Sequence, residues 1–300
     1  MKKKTYLFAL MAMVLTLGSC SNNEDGIGGE TSKYITVSTS IGNMTRVATD
    51  AKGGQTFEEG DEISVYAWTG APTVAPETSE RVVNNAINKL TNGSWVSTPQ
   101  MLWKNNRDKH YFIGVYPTAA ISDLSAGEYT FDVNKQTESD LLVAVNKDGL
   151  SYNVDEQQTV PLTFTHVMAK LVVNLTYKNQ WGGIPTVEKV VVGNAAKEAT
   201  INYLTKVVTP STTAKEDFSL PEITENTKYV SVIIPQEEVT QLTIVIGGKN
   251  FVYDNGTPFK LESGKITTVN LEVGRDEIKL GDVKITNWED GSTFSGEALN

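Results

Sequence analysis

Three hundred residues with 26 basic and 36 acidic side chains carry a formal charge of −10, which argues against binding to nucleic acid or anionic lipid. A single cysteine excludes an intrachain disulfide, and two histidines supply too few ligands for an ordinary zinc site, so stability must come from buried apolar area and hydrogen bonds. The length suffices for one large domain or two ordinary ones.

The chain opens with Lys2, Lys3 and Lys4, then an apolar run of 12 residues from Tyr6 to Leu17, then small Gly18 and Ser19. That is the layout of an export signal, too short to span a bilayer comfortably. The only cysteine, Cys20, follows directly. Plain secretion would need no cysteine there, and Leu17-Gly18-Ser19-Cys20 resembles a bacterial lipoprotein signal, which implies removal of residues 1–19 and a lipid (palmitate-bearing) group on the Cys20 thiol. The mature chain then holds 23 basic and 36 acidic residues, a charge of −13. Residues 20–33, rich in Ser, Asn, Gly and acids, read as a flexible tether. Ser21-Asn22-Asn23-Glu24-Asp25 within it is similar to the acidic surface-export tag of some outer-membrane lipoproteins.

Period-two alternation and β-branched content predict strands at 34–41, 62–68, 111–116, 140–145, 160–165 and 170–177, and again at 187–192, 200–204, 229–235, 242–246, 250–253, 266–273 and 278–285. Turn dipeptides fall at Asn92-Gly93, Asp148-Gly149, Gly247-Gly248, Asn255-Gly256 and Asp290-Gly291. Only Ser79 to Leu90, with Val82, Val83, Ala86, Ile87 and Leu90 on one side, carries helical spacing. Such strand density predicts an all-β protein of two antiparallel β-sandwich domains in series. The seam falls near His166 to Lys170, giving an N-terminal domain at 34–167 and a C-terminal domain at 168–300.

Chemistry is hard to find along this chain. His166 reads as a packed strand residue, and the acids Glu58, Glu59, Asp61 and Glu62 as a solvated turn. Gly26-Ile27-Gly28-Gly29 neither follows a strand nor opens a helix, so it is no phosphate loop. No catalytic residue, metal site or cofactor is expected, and the chain reads as a non-enzyme. Trp68, Trp95, Trp103, Trp181 and Trp288 leave open a surface glycan-binding lipoprotein, since exposed indole faces stack on sugars, although strand aromatics more often fill cores.

The order of several segments carries a resemblance. Met44-Thr45-Arg46-Val47 is followed by Phe57-Glu58-Glu59-Gly60-Asp61-Glu62-Ile63-Ser64-Val65-Tyr66, by Tyr111-Phe112-Ile113-Gly114-Val115-Tyr116-Pro117 and by Asp140-Leu141-Leu142-Val143-Ala144. Then come Leu162-Thr163-Phe164-Thr165-His166-Val167-Met168-Ala169-Lys170-Leu171 and Ile285-Thr286-Asn287-Trp288-Glu289-Asp290-Gly291. This order resembles the fimbrillin family, the lipoprotein-derived subunits of type V fimbriae. The resemblance implies two transthyretin-like sandwiches, no catalysis, and a surface subunit that passes through an outer-membrane lipoprotein precursor before entering an extracellular fimbrium. It also implies partners: other subunits of the polymer, anchor and tip proteins, an arginine-specific protease, and a host or bacterial receptor that the sequence does not identify.

By the same resemblance, Arg46 and Val47 flank the processing site, in a polar stretch between two predicted strands. Cutting there would remove the strand bearing Tyr34, Ile35, Val37 and Ile41 and leave an edge disposed to accept another strand. Candidate donors from a neighbouring copy are Ile278, Leu280, Val283 and Ile285, or the final Thr293 to Leu299 with Phe294 and Leu299. Acceptor and donor lie on different surfaces, so the contact would propagate a filament rather than close a dimer. A lipid-retaining anchor or a tip subunit is the variant reading.

Overall fold

The computed structural model describes residues 33–42, 56–153, 158–239, 241–253 and 258–288. In chain order the first strands are β1 (Thr36–Ile41), β2 (Glu62–Thr69), β3 (Val83–Thr91), β4 (Ser94–Thr98), β5 (His110–Tyr116), β6 (Gly127–Thr130), β7 (Leu142–Leu150) and β8 (Thr159–His166). They are followed by β9 (Ala169–Tyr177), β10 (Val187–Ala196), β11 (Glu198–Asn202), β12 (Val207–Pro210), β13 (Lys215–Ser219), β14 (Glu222–Thr224) and β15 (Lys228–Ile233). The last are β16 (Gln236–Val239), β17 (Leu242–Ile246), β18 (Lys249–Tyr253), β19 (Phe259–Leu261), β20 (Lys265–Val273) and β21 (Ile278–Asn287).

Seven of these strands form one sheet in the order β1-β8-β7-β5-β2-β3-β4. The sheet curls until its edges meet: Tyr34 bridges Leu102, Ile35 N–H donates to the Met101 carbonyl at 2.9 Å, and Trp95 Nε1 donates to Thr39 Oγ1 at 3.0 Å. Its concave face encloses a core that includes Val37, Val65, Phe112, Leu162 and Phe164. Gly114 in β5 permits this curl, because a Cβ there would lie 2.6 Å from Phe164 Cζ.

The opposite face of the same sheet presents Tyr66, Trp68, Ile113, Val115 and Val143 to a second core shared with β9 to β21. The later strands form a five-stranded sheet, β14-β15-β9-β20-β21, a four-stranded sheet, β13-β10-β17-β18, and a short β16-β19 pair. Strand β6 precedes the expected seam in sequence yet pairs with β11, which itself pairs with β12. The crossover that carries it is fixed to the first sheet by Arg81, which donates to the carbonyls of Ile121 and Ser122. The Tyr66 hydroxyl accepts from Ile121 N–H at 2.9 Å on the same stretch.

Most of the predicted strands form, and nearly all strand pairings are antiparallel as expected, with β1–β8 and β9–β20 parallel. The helix expected over Ser79 to Leu90 is replaced by a 3-10 turn, Thr78–Glu80, and the strand β3. Its helix-like spacing has a local cause. Asn85 adopts φ 55° at a register break against β2, so Val83 and Ala86 both point inward although three positions apart. Asn92-Gly93 and Gly247-Gly248 do turn hairpins, each with two positive φ angles. Asp148-Gly149 does not; it lies inside β7, beside a register break against β5.

His110 is buried with both ring nitrogens engaged: Nδ1 lies 3.1 Å from the Asp108 carbonyl and Nε2 accepts from Lys104 N–H at 3.0 Å. That pairing fixes the neutral tautomer, and burial pushes its pKa below the usual histidine value. The unfolded chain therefore takes up a proton first as pH falls. The stabilisation is fully present above about pH 6.5, the ordinary histidine value, and is lost as pH falls through the lower folded value.

Two outcomes follow from this packing. Gly114→Ala should destabilise the protein by about 1–3 kcal/mol, read as a lower urea midpoint at unchanged slope. Between pH 7.5 and 5.5, on the order of one pH unit either side of the histidine range, the urea midpoint of the parent should fall more than that of His110→Gln. Parallel curves would show that His110 contributes no such term.

Candidate functional site

The first strand is seated as an insert. It runs parallel to β8, with Val37 opposite Val160, Thr39 opposite Leu162 and Ile41 opposite Phe164. Ile35, Val37 and Ile41 are buried, which places the predicted apolar face in the core. Burying three such side chains is worth on the order of 5–9 kcal/mol before conformational entropy is counted. The outward residues are polar and pair across to β8: Thr36 Oγ1 lies 3.2 Å from Thr159 Oγ1, and Ser40 Oγ donates to Thr163 Oγ1 at 3.2 Å. Beyond the strand ends, Gly42 N–H donates to the Phe164 carbonyl at 2.7 Å and Trp103 N–H to the Lys33 carbonyl at 3.2 Å. Tyr34 itself is exposed, at the bridge to Leu102.

At the other end of the chain β21 forms the outer edge of the five-stranded sheet, antiparallel to β20. Its four apolar residues share one face because of a bulge. Ile278 pairs with Val273 and Leu280 with Leu271, the register then shifts, and Val283 pairs with Val269 and Ile285 with Thr267. Without that shift, the odd step from Leu280 to Val283 would turn the second pair to the opposite face. Ile278 and Leu280 pack against the shared core, whereas Val283 and Ile285 are each 37% exposed.

Trp288 directly follows this strand and is the last described residue, and it is anchored. Its ring stacks on His166 with centroids 4.1 Å apart at 6°, Lys170 Nζ lies 5.4 Å from the ring centroid, and the Trp288 backbone N–H donates to the Gly264 carbonyl at 3.0 Å. His166 is held in turn by Asp140, Nδ1 to Oδ1 at 2.8 Å. The packed role expected for His166 is thus that of a seat for the C-terminal tryptophan. Sequence reasoning had no signal for this, because Asp140, His166 and Trp288 are joined only by the fold. Burial lowers the pKa of Lys170, with Asp140 opposing the shift.

The remaining tryptophans are also occupied. Trp68 and Trp103 are buried, Trp103 meeting His110 and Phe112 edge-on and stacking on Tyr152. Trp95 bonds Thr39 and meets Phe57 edge-on, and Trp181 donates to the Val273 carbonyl at 2.9 Å. Trp95 and Trp181 are only partly buried. Trp68 and Trp103 wall a cleft of about 750 Å³ whose mouth carries Val74, Leu102 and Lys104.

Among the described residues, no group of three or more His, Cys, Asp or Glu is placed to hold a metal ion. Cys20, Arg46, Val47, Phe294 and Leu299 lie outside the described residues. The two ends that the sequence singled out, β1 and β21, do not touch through their apolar faces. Each occupies a separate edge, β1 beside β8 and β21 beside β20.

Comparison with known proteins agrees with this architecture. A candidate cell adhesion protein from Bacteroides ovatus superposes with a TM-score of 0.61 at 17% identity, covering 85% of this chain and 98% of that one. Another from Bacteroides uniformis gives 0.59 at 18% identity, with 86% and 100% covered. A fimbrial protein from Bacteroides vulgatus gives 0.50 at 14% identity, with 84% and 99% covered. No curated protein matches the sequence significantly. These likenesses share the fold, and the sequence model described as fimbrillin-like matches residues 45–288, from just before Arg46 to the anchored Trp288. With that span matched, the chain belongs to the fimbrillin-like family.

Proposed function

We propose that this chain is a structural subunit of cell-surface fimbriae, exported as a lipoprotein on Cys20, cleaved after Arg46 and polymerised by strand exchange in support of adhesion. The observation that carries the reading is the seating of β1. It supplies buried Ile35, Val37 and Ile41 to a sheet whose other strands come from 62 onward, so one cut between 42 and 56 would free it covalently. Its departure would leave Val160, Leu162 and Phe164 lining an open track and β8 with an unpaired edge. The second core, on the opposite face of the sheet, contains no β1 residue and would hold the molecule together.

Of the two donor candidates we favour the segment after Trp288, because β21 is tied down. Strand β21 is registered along β20 from Ile278 to Asn287 and places Ile278 and Leu280 against the core. Releasing it would also break the stack on His166. In this reading the segment 289–300, with Phe294 and Leu299, is the donor, while β21 stays in place with Trp288 at its end. In this reading the two sandwich units, 34–167 and 168–300, present acceptor and donor at different places, as a filament requires. A subunit that kept its lipid and β1 would serve as an anchor.

N-terminal sequencing and intact mass of the protein from native cells test the scheme. A stalk subunit should begin at Val47, and Arg46→Gln should leave an intact acylated chain that forms no SDS-resistant ladder. Cys20→Ser should abolish acylation. A ladder from Arg46→Gln subunits that still begin at residue 20 would refute removal of β1 as the trigger.

A further inference from the structure

The cleft walled by Trp68 and Trp103 lies between two long connections at one end of the first sheet, residues 70–82 between β2 and β3 and residues 99–109 between β4 and β5. Both walls are held in place. Trp68 Nε1 donates to the Ala71 carbonyl at 3.0 Å, Val82 N–H to the Ala67 carbonyl at 2.8 Å, and Lys104 N–H to His110 Nε2 at 3.0 Å. Long connections fixed on a rigid sheet are where binding surfaces are usually built. Two exposed aliphatic side chains, Val74 at 62% and Leu102 at 43%, stand at the mouth.

The cations around this cleft are left unmatched. Lys104 Nζ lies 3.4 Å from Thr69 Oγ1 and forms no ion pair among the described residues. Arg81, in the wall, is buried against neutral acceptors, Asn84 Oδ1 and the Ile121 and Ser122 carbonyls, and its Nε donates to nothing. Arg107 and Lys109 follow in the turn after Lys104. The nearest acids are already engaged, Glu80 accepting from Glu77 N–H at 3.0 Å and Asp108 from Asn105 Nδ2 at 2.8 Å. Glu77 and Asp123 reach Arg81 only through space. A segment that brings carboxylates and an aliphatic side chain together would suit this mouth.

The chain itself enters the molecule at this point. Trp103 N–H donates to the Lys33 carbonyl at 3.2 Å and Tyr34 bridges Leu102, after which β1 runs away from the cleft. The stretch just before Lys33, residues 21–32, holds Glu24, Asp25 and Glu30, no basic residue, and one large apolar residue, Ile27. We propose that residues 24–30 of the same chain occupy the cleft, with Ile27 between Val74 and Leu102 and the flanking acids beside Lys104 and Arg107. Ile27 stands six positions before Lys33, a reach of up to about 20 Å, and Gly28-Gly29 between them permit the chain to turn back. So short a connection sets an effective concentration on the order of millimolar, at which contacts too weak to hold a free peptide suffice. The consequence rests on the processing reading above: residues 20–46 depart as one piece, so the cleft is filled in the precursor and cleared in a subunit that begins at Val47.

Rates of disulfide formation in the uncut chain from residue 20 onward test this, with Cys20→Ser so that only introduced thiols react. Asn22→Cys, Gly26→Cys or Thr31→Cys is combined with Leu102→Cys; Leu102 is exposed, so its change empties no core. A chain rooted at Lys33 and bound nowhere should close fastest from Thr31 and slowest from Asn22, because closure cost rises with loop length. The expected result is instead a maximum at Gly26, roughly tenfold above Thr31, that is lost in Ile27→Asp and reduced in Lys104→Glu. Rates that fall steadily from Thr31 to Asn22 overturn the inference, and so does a Gly26 maximum that survives Ile27→Asp. Disulfide-linked dimers in place of the closed monomer would assign the cleft to a second copy and overturn it as well. Because the chain is uncut, none of these results bears on cleavage after Arg46, which N-terminal sequencing decides separately.

Discussion

The pairing of β1 with β8 is a closure over distance. Thr36 meets Thr159 across a separation of 123 positions in sequence, and every apolar side chain that β1 contributes is buried against strands far along the chain. Contacts at such separation are costly in loop entropy and are rewarded only when the rest of the sheet already exists. The strand therefore completes a structure more than it nucleates one. Its two sides differ in kind: a six-position ladder to β8 on one edge, and a bridge with a few hydrogen bonds to β4 and residues 101–103 on the other. A strand joined this way is both stabilising and removable, which is the property the proposed assembly needs.

Removal is tolerable only if the remainder has another source of stability, and the two-faced first sheet supplies it. Tyr66 and Trp68 point away from β1 into a core built mainly by β9 to β20. Arg81 ties the crossover at Ile121 and Ser122 to the start of β3, and β6 on that crossover is paired with β11. The arginine is buried with its guanidinium against carbonyl dipoles and the Tyr66 ring, and desolvation lowers its pKa. Phe131, beyond β6, meets Phe218 edge-on at 5.0 Å. These ties couple the halves through the face that β1 does not cover.

What could be read from the sequence followed from local period. The inward face of β1 was visible as Ile35, Val37 and Ile41, and the long strands β2, β5, β9 and β20 announced themselves by alternation. Short elements such as β6, β12, β14 and β19 have three or four residues each and exist because a partner edge is waiting, so no local pattern marks them. β3 carries helix-like spacing because a bulge at Asn85 imitates a helical step. The candidate site divides along the same line. The apolar residues of β21 were legible, but their common face depends on a register shift against β20, and the His166 seat for Trp288 depends on a stacking that only the fold creates.

That seat bears on the direction of assembly more than its size suggests. Trp288 is fixed by an aromatic stack, a nearby lysine and a backbone hydrogen bond, and its partner His166 closes β8, the strand that carries β1. One strand therefore holds the acceptor track along its length and the root of the C-terminal segment at its end. In the proposed filament, a donor entering the track and a donor leaving the root would touch the same strand within each subunit. A chain built this way has its acceptor and donor set at a fixed offset by the rigid strand between them, so the rise per subunit would be a property of β8 rather than of a flexible linker.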